Sequence, residues 1–444
     1  MGTGIGHFIP FIAYLGFWVM CVVSLTGRPL LGLYYMMPFL PYRTLRDHFL
    51  DYPLGGNVLT ILVVAVLLGA MIHGKHVPRS KLYLVWFAFG IYLYLSMWLG
   101  MALGNGPAPL WISDINFATW KDYMLIPLIF LATGMVVEDR KAVRTVVILA
   151  AISLFFIDRS FLMETLSRSW SNFDENKRSS GPLGYGSNQT AAFLAQFAMF
   201  FWGMVQFIKR KKAKLLLYGL VAVTLFATMY TFSRGAYLAV IVSTFILGIL
   251  KDRKLLLLGA VFLLTWQTVV PTAVSERVNM TQDANGQLEA SAQERVNLWE
   301  DAKTAIASDP IFGIGYATYQ LTDHVDGLRD THNWYVKVMV ETGIVGMFFV
   351  LVLIWQLLVL PYRLFRKAED PLYRGLGLGL FVAVCSCLAA NCFGDRWTYL
   401  EINGLLWVLA GATVRASALV KAEAKIDVAE VGAAFGPVAY TAYR

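Results

Sequence analysis

Charged residues are scarce in this sequence, and those that occur are confined to short segments. Asp, Glu, Lys and Arg make up 15% of the 444 residues, whereas 57% of the residues are hydrophobic. A soluble protein of this length would have to place much of that apolar surface in water, while a lipid bilayer accepts it without penalty. The composition therefore excludes an ordinary soluble protein and predicts an integral membrane protein.

Cysteine is also rare, and none of it lies in a long polar segment. The four cysteines are in or beside apolar runs, at Cys21, Cys385, Cys387 and Cys392, so we expect no disulfide framework. We expect no cleavable signal peptide either, because the apolar run 8–25 has no basic segment before it and no small-residue cleavage site after it. That run is interpreted as the first membrane helix.

Several catalytic signatures are missing. The sequence has no His/Cys cluster, no Walker-type phosphate loop, no G-x-S-x-G elbow and no H-E-x-x-H motif. Acidic residues between the apolar runs, such as Asp114, Asp174, Glu175 and Asp395, form no tight pair of the kind that holds a divalent metal. We therefore expect no metal, no nucleotide cofactor and no serine-hydrolase chemistry.

Twelve apolar runs are long enough to cross a bilayer. They are residues 8–25, 57–72, 82–103, 120–137, 142–157, 189–208, 215–232, 236–250, 255–270, 334–360, 375–390 and 402–414. A further apolar segment, 30–40, is short and ends in Pro38 and Pro41. We expect it to be interfacial or re-entrant.

Five basic clusters lie between these runs, at residues 75–81, 140–144, 209–214, 251–254 and 363–374. Because cytoplasmic loops carry an excess of Lys and Arg, we place all five clusters and both termini in the cytoplasm. The net charge of +8 is thus explained by topology rather than by a nucleic-acid partner. The chain divides into a transmembrane region (1–270), an outer loop subdomain (271–333), a second transmembrane region (334–415) and a cytoplasmic tail (416–444).

The long outer loop has helical features. Residues 291–294 (SAQE) have capping-box spacing and predict the start of a helix that carries Arg295 and ends before Pro310. A glycine-rich turn at 313–316 (GIGY) follows, and the loop re-enters the membrane at His332.

His332 is the candidate general base. We expect it at the start of the next membrane helix, with Thr331 or Asp330 as the N-cap. The partial positive charge of a helix N-terminus disfavours the imidazolium, so a histidine there is expected to be neutral and able to accept a proton. The alternative is an interfacial histidine that only hydrogen-bonds a headgroup or a carbonyl.

Three arginines on the outer side are candidate anion contacts. Arg234 lies in a Ser-Arg-Gly turn close to membrane depth, where an unpaired charge is costly, and this predicts an anionic partner. Arg295 lies on the loop helix, and Arg178 begins a glycine-rich loop that leads into a helix. The guanidinium fork and exposed backbone N–H groups suit phosphate oxygens. For each arginine the alternative is a solvated side chain, or for Arg234 one that snorkels to headgroups.

Four short motifs occur in a particular order along the chain. They are SRGA at 233–236, GIGY at 313–316, THNWY at 331–335 and ETGIVG at 341–346. With these motifs, roughly residues 178–346 resemble the bacterial O-antigen ligase and O-antigen polymerase superfamily. In that family a Ser-Arg-Gly turn precedes a large periplasmic loop, which ends in a His-Asn helix start.

The resemblance implies an all-α, GT-C-like glycosyltransferase of the bacterial inner membrane with its active site facing the periplasm. Such an enzyme takes a glycan from undecaprenyl pyrophosphate without a metal or a nucleotide sugar. The acceptor is the lipid A core of lipopolysaccharide in ligases, another lipid-linked glycan in polymerases and a protein in related members. We expect O-antigen ligation with inversion of the anomeric centre. Membrane lipids are expected partners, and nucleic acid is not.

The resemblance also assigns roles to residues of this chain. His332 corresponds to the general base, and Arg234 and Arg295 to groups that hold the departing pyrophosphate. Further substrate contacts are expected at Arg178, Asn188, Tyr316 and Asn333.

A solute transporter is the alternative of a different class, because twelve helices with both termini inside is also a common transporter plan. The lack of matching Gly/Pro-interrupted segments in the two halves and the few ionisable residues within the apolar runs count against it. A non-catalytic assembly or flippase partner is a third alternative, and it would tolerate the loss of His332.

Overall fold

The structure is a computed structural model that describes residues 8–111, 113–168, 173–280, 290–321 and 331–435. Every regular element in these ranges is a helix, which confirms the predicted all-helical class. The α-helices are α1 (Ile9–Leu25), α2 (Pro29–Met36), α3 (Arg43–Asp47), α4 (Val58–Ile72), α5 (Lys81–Ala102), α6 (Ile115–Val136), α7 (Arg140–Leu166), α8 (Ser187–Val205), α9 (Lys211–Met229), α10 (Arg234–Leu250), α11 (Lys254–Val269), α12 (Thr272–Asn279), α13 (Ala290–Ser308), α14 (Trp334–Lys367), α15 (Pro371–Asn391) and α16 (Leu400–Phe435).

Each of the twelve predicted runs coincides with one of these helices. By length and hydropathy, seven helices in the described ranges can cross a membrane, or up to eight if the bent pair α11 and α12 is one span. The apolar helices α1 and α10 have 17 residues each, fewer than the roughly 20 that a straight span needs. The structure therefore supports a helical multi-pass protein, while the number of spans and the GT-C-like arrangement remain predictions.

The centre of the bundle is formed by α8 and α15. Most side chains of α8 from Thr190 to Val205 are buried, and the helix packs against α15, α9 and α10. At the closest approach a methyl group on Gly203 would lie 2.6 Å from the Cα atom of Gly379. Small residues permit such close approach of membrane helices, where packing replaces the hydrophobic effect as the driving force.

Large apolar side chains cover the outside of the bundle. Phe11 and Ile12 in α1 and Leu257 and Leu264 in α11 are exposed, Leu264 by 86%. A continuous apolar surface of this kind is unfavourable in water but is accepted by lipid. The exposed apolar faces therefore agree with the composition in indicating a membrane environment.

Ion pairs bring the first, second and fifth basic clusters to the same end of the bundle. Lys75 pairs with Glu138, just before the second cluster, and Arg140 of the second cluster pairs with Asp370. Asp370 lies within the fifth cluster, between α14 and α15.

Cation–π contacts bring the third and fourth clusters to this end as well. Lys251 and Arg374 both lie over the ring of Phe207, at 4.7 and 5.1 Å from its centroid. Phe207 lies two residues before the third cluster, so all five clusters share one end, which is called the basic end below. This is the arrangement that the predicted topology requires, and the side of the membrane that the basic end faces stays a prediction.

The short apolar segment 30–40 does not cross the bundle. It forms α2, of eight residues, followed by a single 3-10 turn, and Leu33 and Met36 are buried against neighbouring helices. Eight residues span only about 12 Å. The segment is therefore too short for a membrane span, as its two prolines predicted.

The helix after the long loop is broken, although the sequence predicted one continuous span. Gly343 in α14 has φ 60° and ψ −163°, so two helical segments meet there. The turn at 313–316 fills the break, because the N–H groups of Ile314 and Gly315 donate to the carbonyls of Val340 and Glu341, at 2.9 and 3.1 Å. The GIGY and ETG motifs are thus two halves of one backbone interaction.

The glycines of the turn make this contact possible. Gly313 and Gly315 have φ values of 74° and 113°. A side chain on Gly313 would lie 2.5 Å from the carbonyl carbon of Glu341, and one on Gly315 would lie 2.4 Å from the Cα atom of Gly100 in α5. Only glycine combines these φ values with this close approach, so the turn docks the long loop onto α14 and α5.

One helix boundary corrects the sequence predictions. Ala290 already belongs to α13, so Ser291 lies inside the helix and is not its N-cap, whereas the predicted end before Pro310 is confirmed. α16 continues to Phe435, past the apolar run that ends at residue 414. Much of the predicted tail therefore extends this helix.

Candidate functional site

His332 lies just before α14, and the predicted N-cap of that helix was wrong. The cap is Asn333, whose Oδ1 atom accepts hydrogen bonds from the backbone N–H groups of Tyr335 and Val336 at 3.0 and 3.3 Å. Asp330, one of the predicted caps, lies outside the described residues. Asn333 therefore has a structural role that its prediction as a substrate contact did not include.

The backbone of His332 is in the left-handed region, with φ 48°. Few non-glycine residues adopt this conformation, although histidine does so more often than most. Such conformations persist where the surrounding structure holds them, and they are common at functional sites. Here the Thr331 hydroxyl donates to the carbonyl of Asn333 at 2.7 Å and closes the turn around His332.

Two aromatic contacts fix the His332 segment on either side. Trp299 of α13 donates from Nε1 to the carbonyl of Thr331 at 2.9 Å. Trp334 stacks on Trp397, with ring centroids 4.7 Å apart and an interplanar angle of 22°. The segment is thereby held against α13 and against the loop 392–399 between α15 and α16.

An ion pair reinforces the second of these contacts. Lys337, in the first turn of α14, lies 3.0 Å from the buried carboxylate of Asp395, which also accepts hydrogen bonds from Thr398. Burial opposes ionisation of Asp395, but the charge of Lys337 and the bonds from Thr398 outweigh it, and the pKa of Asp395 lies below its ordinary value. The carboxylate is therefore ionised at neutral pH.

A cavity of about 260 Å³ lies at the end of α10 opposite the basic end, about 25 Å away along that 17-residue helix. This cavity, called the arginine cavity below, is lined by Asn188, Ala192, Phe232, Ser233, Arg234, Gly235, Ala236, Arg277, Arg295, Ala390, Phe393 and Arg396. Four guanidinium groups from four different segments therefore contribute to one space.

Three of the predicted site residues meet in the arginine cavity. Arg234 is the first residue of α10, Arg295 lies on α13, and Asn188 is the second residue of α8. The start of α10 approaches the loop 392–399 closely, since a side chain on Gly235 would lie 3.0 Å from the ring of Phe393. The Ser-Arg-Gly turn thus combines a charge with a glycine that permits close packing.

Arg277 was not predicted as a site residue. It lies on the short helix α12, which is bent by 107° from α11. The side chain is largely buried, pairs with Glu175 at 3.3 Å and lies over the ring of Phe173 at 4.6 Å. The positive-inside rule that singled out Arg234 applies equally to this outer arginine and would have found it.

Arg396, in the loop 392–399, was also missed. Its backbone N–H donates to the side chain of Asn391 at 2.9 Å, and its guanidinium donates to the carbonyl of Asp395 at 3.1 Å. Gly394 has φ 145°, and a side chain there would lie 2.7 Å from the guanidinium. The glycine therefore makes room for Arg396 next to the cavity.

Arg178 is near the arginine cavity but is not part of its lining. Its guanidinium donates to the carbonyl of Thr231 at 3.0 Å and to Oδ1 of Asn188 at 2.8 Å, and it pairs with Glu175. The side chain is almost completely buried by these partners. Arg178 is thus placed to orient Asn188, a residue of the lining.

His332 and Tyr316 are also outside the lining. Tyr316 is buried against Tyr123, with ring centroids 6.5 Å apart. The two tryptophan contacts of the His332 segment, however, both lead to cavity arginines. Arg295 precedes Trp299 by one helical turn, and Arg396 directly precedes Trp397. The His332 segment is therefore attached to two of the elements that carry cavity arginines.

The electrostatics of the arginine cavity favour an anion. Besides the four arginines, the first turns of α8 and α10 contribute residues to the lining, and the N-terminus of a helix carries partial positive charge. Arginine binds phosphate oxygens through two parallel hydrogen bonds, which lysine cannot do. The cavity is therefore suited to a phosphate-containing group.

Comparison with known families gives one match. Residues 219–351 match the family model described as O-antigen ligase, and this confirms the resemblance that the motifs predicted. The matched segment runs from α9 into α14 and includes His332 and three of the four cavity arginines. Among curated proteins, none matches the chain. The chain is thus similar to a family of glycosyltransferase-like membrane enzymes, ligases and polymerases.

Proposed function

We propose that this protein transfers an O-antigen glycan from undecaprenyl pyrophosphate to the lipid A core of lipopolysaccharide on the periplasmic side of the bacterial inner membrane. The observation that carries the proposal is the convergence of four arginines on one cavity, together with the tryptophan contacts that connect the His332 segment to the elements carrying Arg295 and Arg396. A pyrophosphate leaving group carries negative charge that these arginines neutralise. The match to the O-antigen ligase family supports the same class of reaction.

In the proposed step, a hydroxyl oxygen of the acceptor attacks the anomeric carbon of the donor glycan. The new C–O bond forms as the bond to the pyrophosphate oxygen breaks, and that oxygen leaves with the electron pair. His332 accepts the proton of the attacking hydroxyl. Attack from the face opposite the leaving group inverts the anomeric centre.

Arg234, Arg277, Arg295 and Arg396 have the role of holding the pyrophosphate. Charge on its leaving oxygen increases in the transition state, so fixed guanidinium groups stabilise the transition state more than the ground state. Arg178 acts indirectly, because it positions Asn188. The chemistry requires neither a metal nor a nucleotide sugar.

Members of the superfamily differ in the acceptor. O-antigen polymerases and protein O-glycosylation ligases of the same superfamily would use the same donor site with another hydroxyl as acceptor.

Reconstitution tests the proposal. The purified protein in proteoliposomes, supplied with an undecaprenyl-pyrophosphate glycan and lipid A core, should form glycosylated core that is detected by mass spectrometry. Transfer to a second lipid-linked glycan instead would identify a polymerase. Movement of labelled solute without any transfer would identify a transporter.

Arginine variants test the donor site within the same assay. Arg396→Ala should weaken donor binding by about tenfold or more, because removing one partner of a buried charge pair leaves the phosphate incompletely paired, and Arg396→Lys should restore it only partly. Arg253→Ala is the matched control, since Arg253 is an exposed arginine at the basic end. Equal effects of Arg396→Ala and Arg253→Ala on donor binding would show that Arg396 is not part of the donor site.

A further inference from the structure

A second cavity, of about 640 Å³, opens at the basic end between the start of α5, the last part of α14 and α16. Its wall includes the apolar side chains of Val359, Leu360 and Val420, which are partly exposed. Exposed basic side chains also line it, namely Arg79, Lys81, Arg363, Lys367 and Lys421. The cavity, called the basic groove below, therefore combines an apolar wall with a cationic rim.

The cations of the rim are not among the ion-paired cations of the basic end. Lys75 and Arg140 at the same end pair with Glu138 and Asp370. Within the ranges that the structure describes, no ion pair is formed by any of the five rim cations. Five like charges around one opening repel each other, and an anion placed between them relieves that repulsion.

We propose that the basic groove binds an anionic glycerophospholipid such as phosphatidylglycerol or cardiolipin. The rim cations hold the headgroup phosphate, and an acyl chain lies along the wall formed by Val359, Leu360 and Val420. Basic pockets between membrane helices are suited to such headgroups. A free phosphate ion would make no contact with the apolar wall, so the whole groove fits a lipid better than a soluble anion.

The position of the basic groove gives the lipid a structural role. α14 and α16 both border the groove, and both begin at the opposite end, next to the segments that hold His332 and Arg396. A molecule that fills the space between these two helices stabilises their packing, because binding to the folded state alone raises the free energy of unfolding. This proposal is independent of the glycan-transfer proposal.

Native mass spectrometry of the full chain in mild detergent tests the site. Added phosphatidylglycerol should bind in preference to phosphatidylethanolamine. Each basic residue near an anionic lipid contributes about fivefold to affinity, so the triple variant Arg79→Gln, Arg363→Gln, Lys367→Gln should bind phosphatidylglycerol about a hundredfold more weakly. The matched control is Lys209→Gln, Lys211→Gln, Lys212→Gln, which removes three charges from the third basic cluster and should keep wild-type binding.

A second variant tests the apolar wall without changing any charge. Ala418→Trp places a large ring in the groove and should weaken phosphatidylglycerol binding while thermal stability in lipid-free detergent stays the same. Millimolar inorganic phosphate should not compete. Competition by inorganic phosphate, stronger binding of a polyprenyl phosphate than of phosphatidylglycerol, or equal lipid loss in the groove and control triple variants would overturn the proposal.

Discussion

His332 joins a basic imidazole to an uncommon backbone conformation, and the two properties can be separated by mutation. Asparagine adopts the left-handed region nearly as readily as histidine does, whereas alanine pays about 1–2 kcal/mol for it. An asparagine at this position therefore keeps the turn and removes the base. Alanine removes both.

We predict that His332→Asn lowers the rate of glycan transfer by about a hundredfold to ten-thousandfold, the usual contribution of a general base. Donor binding should remain at the wild-type level, because the cavity arginines supply that affinity. Turnover in proteoliposomes and donor binding to the same preparation are the two measurements. His332→Ala should lose the same activity and in addition have a lower melting temperature.

Two results would contradict the role of His332. Loss of donor binding in proportion to turnover would make His332 a ligand contact, and the base would have to be another residue. Glu341, which is buried near the break in α14, is the next candidate in the described part of the chain, and His324 lies outside it. Full turnover of His332→Asn would exclude a catalytic role altogether.

Asp395 is the residue whose ionisation holds the loop 392–399 to α14. Its pKa is lowered in the folded state, so its contribution to the free energy of unfolding is complete above the unfolded value of about 3.9 and is lost as the pH falls through the lower folded value. Acidification to about pH 5 should therefore leave this ion pair intact.

We predict that Lys337→Met moves the acid-induced loss of stability to higher pH. Burial raises the pKa of Asp395 and Lys337 lowers it, so loss of Lys337 moves that pKa upward and protonation begins at higher pH than in the wild type. Melting temperatures between pH 3 and pH 8 measure the shift. Lys121→Met is the control, because the partner Asp122 is exposed and exposed pairs contribute little. An unshifted profile for Lys337→Met would show that the pair does not control the loop.

At the scale of secondary-structure elements, the main feature is the backbone contact between the turn 313–316 and the break in α14. It connects the long loop, which carries Arg295, to the helix that follows His332. The N–H groups of the turn donate to carbonyls of α14, so the role of its glycines is to let the turn pack against that helix. A defect here should loosen the whole loop.

We predict that Gly313→Ala lowers the melting temperature and reduces transfer. The new methyl group would lie 2.5 Å from the carbonyl carbon of Glu341, and overpacking of this kind costs about 1–3 kcal/mol in addition to the strain of the positive φ. Gly104→Ala is the matched control, because Gly104 also has a positive φ but has open space around it. Equal melting temperatures for the two variants would show that the φ strain alone matters.

At the scale of the whole molecule, the two ends differ in chemistry. The basic end carries the five Lys/Arg clusters, and the other end carries the arginine cavity with its buried and half-buried arginines. The positive-inside rule predicts that the basic end is cytoplasmic, and we therefore expect the arginine cavity on the periplasmic side.

We predict the corresponding labelling pattern in intact cells. In a Cys392→Ser background, which removes the exposed native thiol, an impermeant thiol reagent should label Asp174→Cys and not Lys211→Cys or Arg253→Cys. Asp283→Cys and Asp326→Cys, outside the described residues, should also be labelled. Labelling of Lys211→Cys before the membrane is opened would reverse the orientation and with it the proposed site.

The sequence by itself determined the features that depend on local composition. Each predicted apolar run became a helix, because a backbone in lipid must satisfy its hydrogen bonds within the segment. The five basic clusters were expected at one end because an even number of apolar runs separates each cluster from the next, and their ion pairs and cation–π contacts agree with this. Arg234 could be predicted as a site residue from the sequence, because the positive-inside rule gives no reason for an arginine on the outer side. Arg277 and Arg396 could have been predicted by the same reasoning.

Only the tertiary structure decided which residues meet. Arg396 is more than 100 residues from Arg234 in the sequence, and no local pattern reports that the loop 392–399 packs against the start of α10. The break at Gly343 was hidden for a similar reason, because its φ is set by the turn that docks into it from a distant segment. Contacts between distant segments depend on the packing of the whole bundle, which periodicity and charge do not encode.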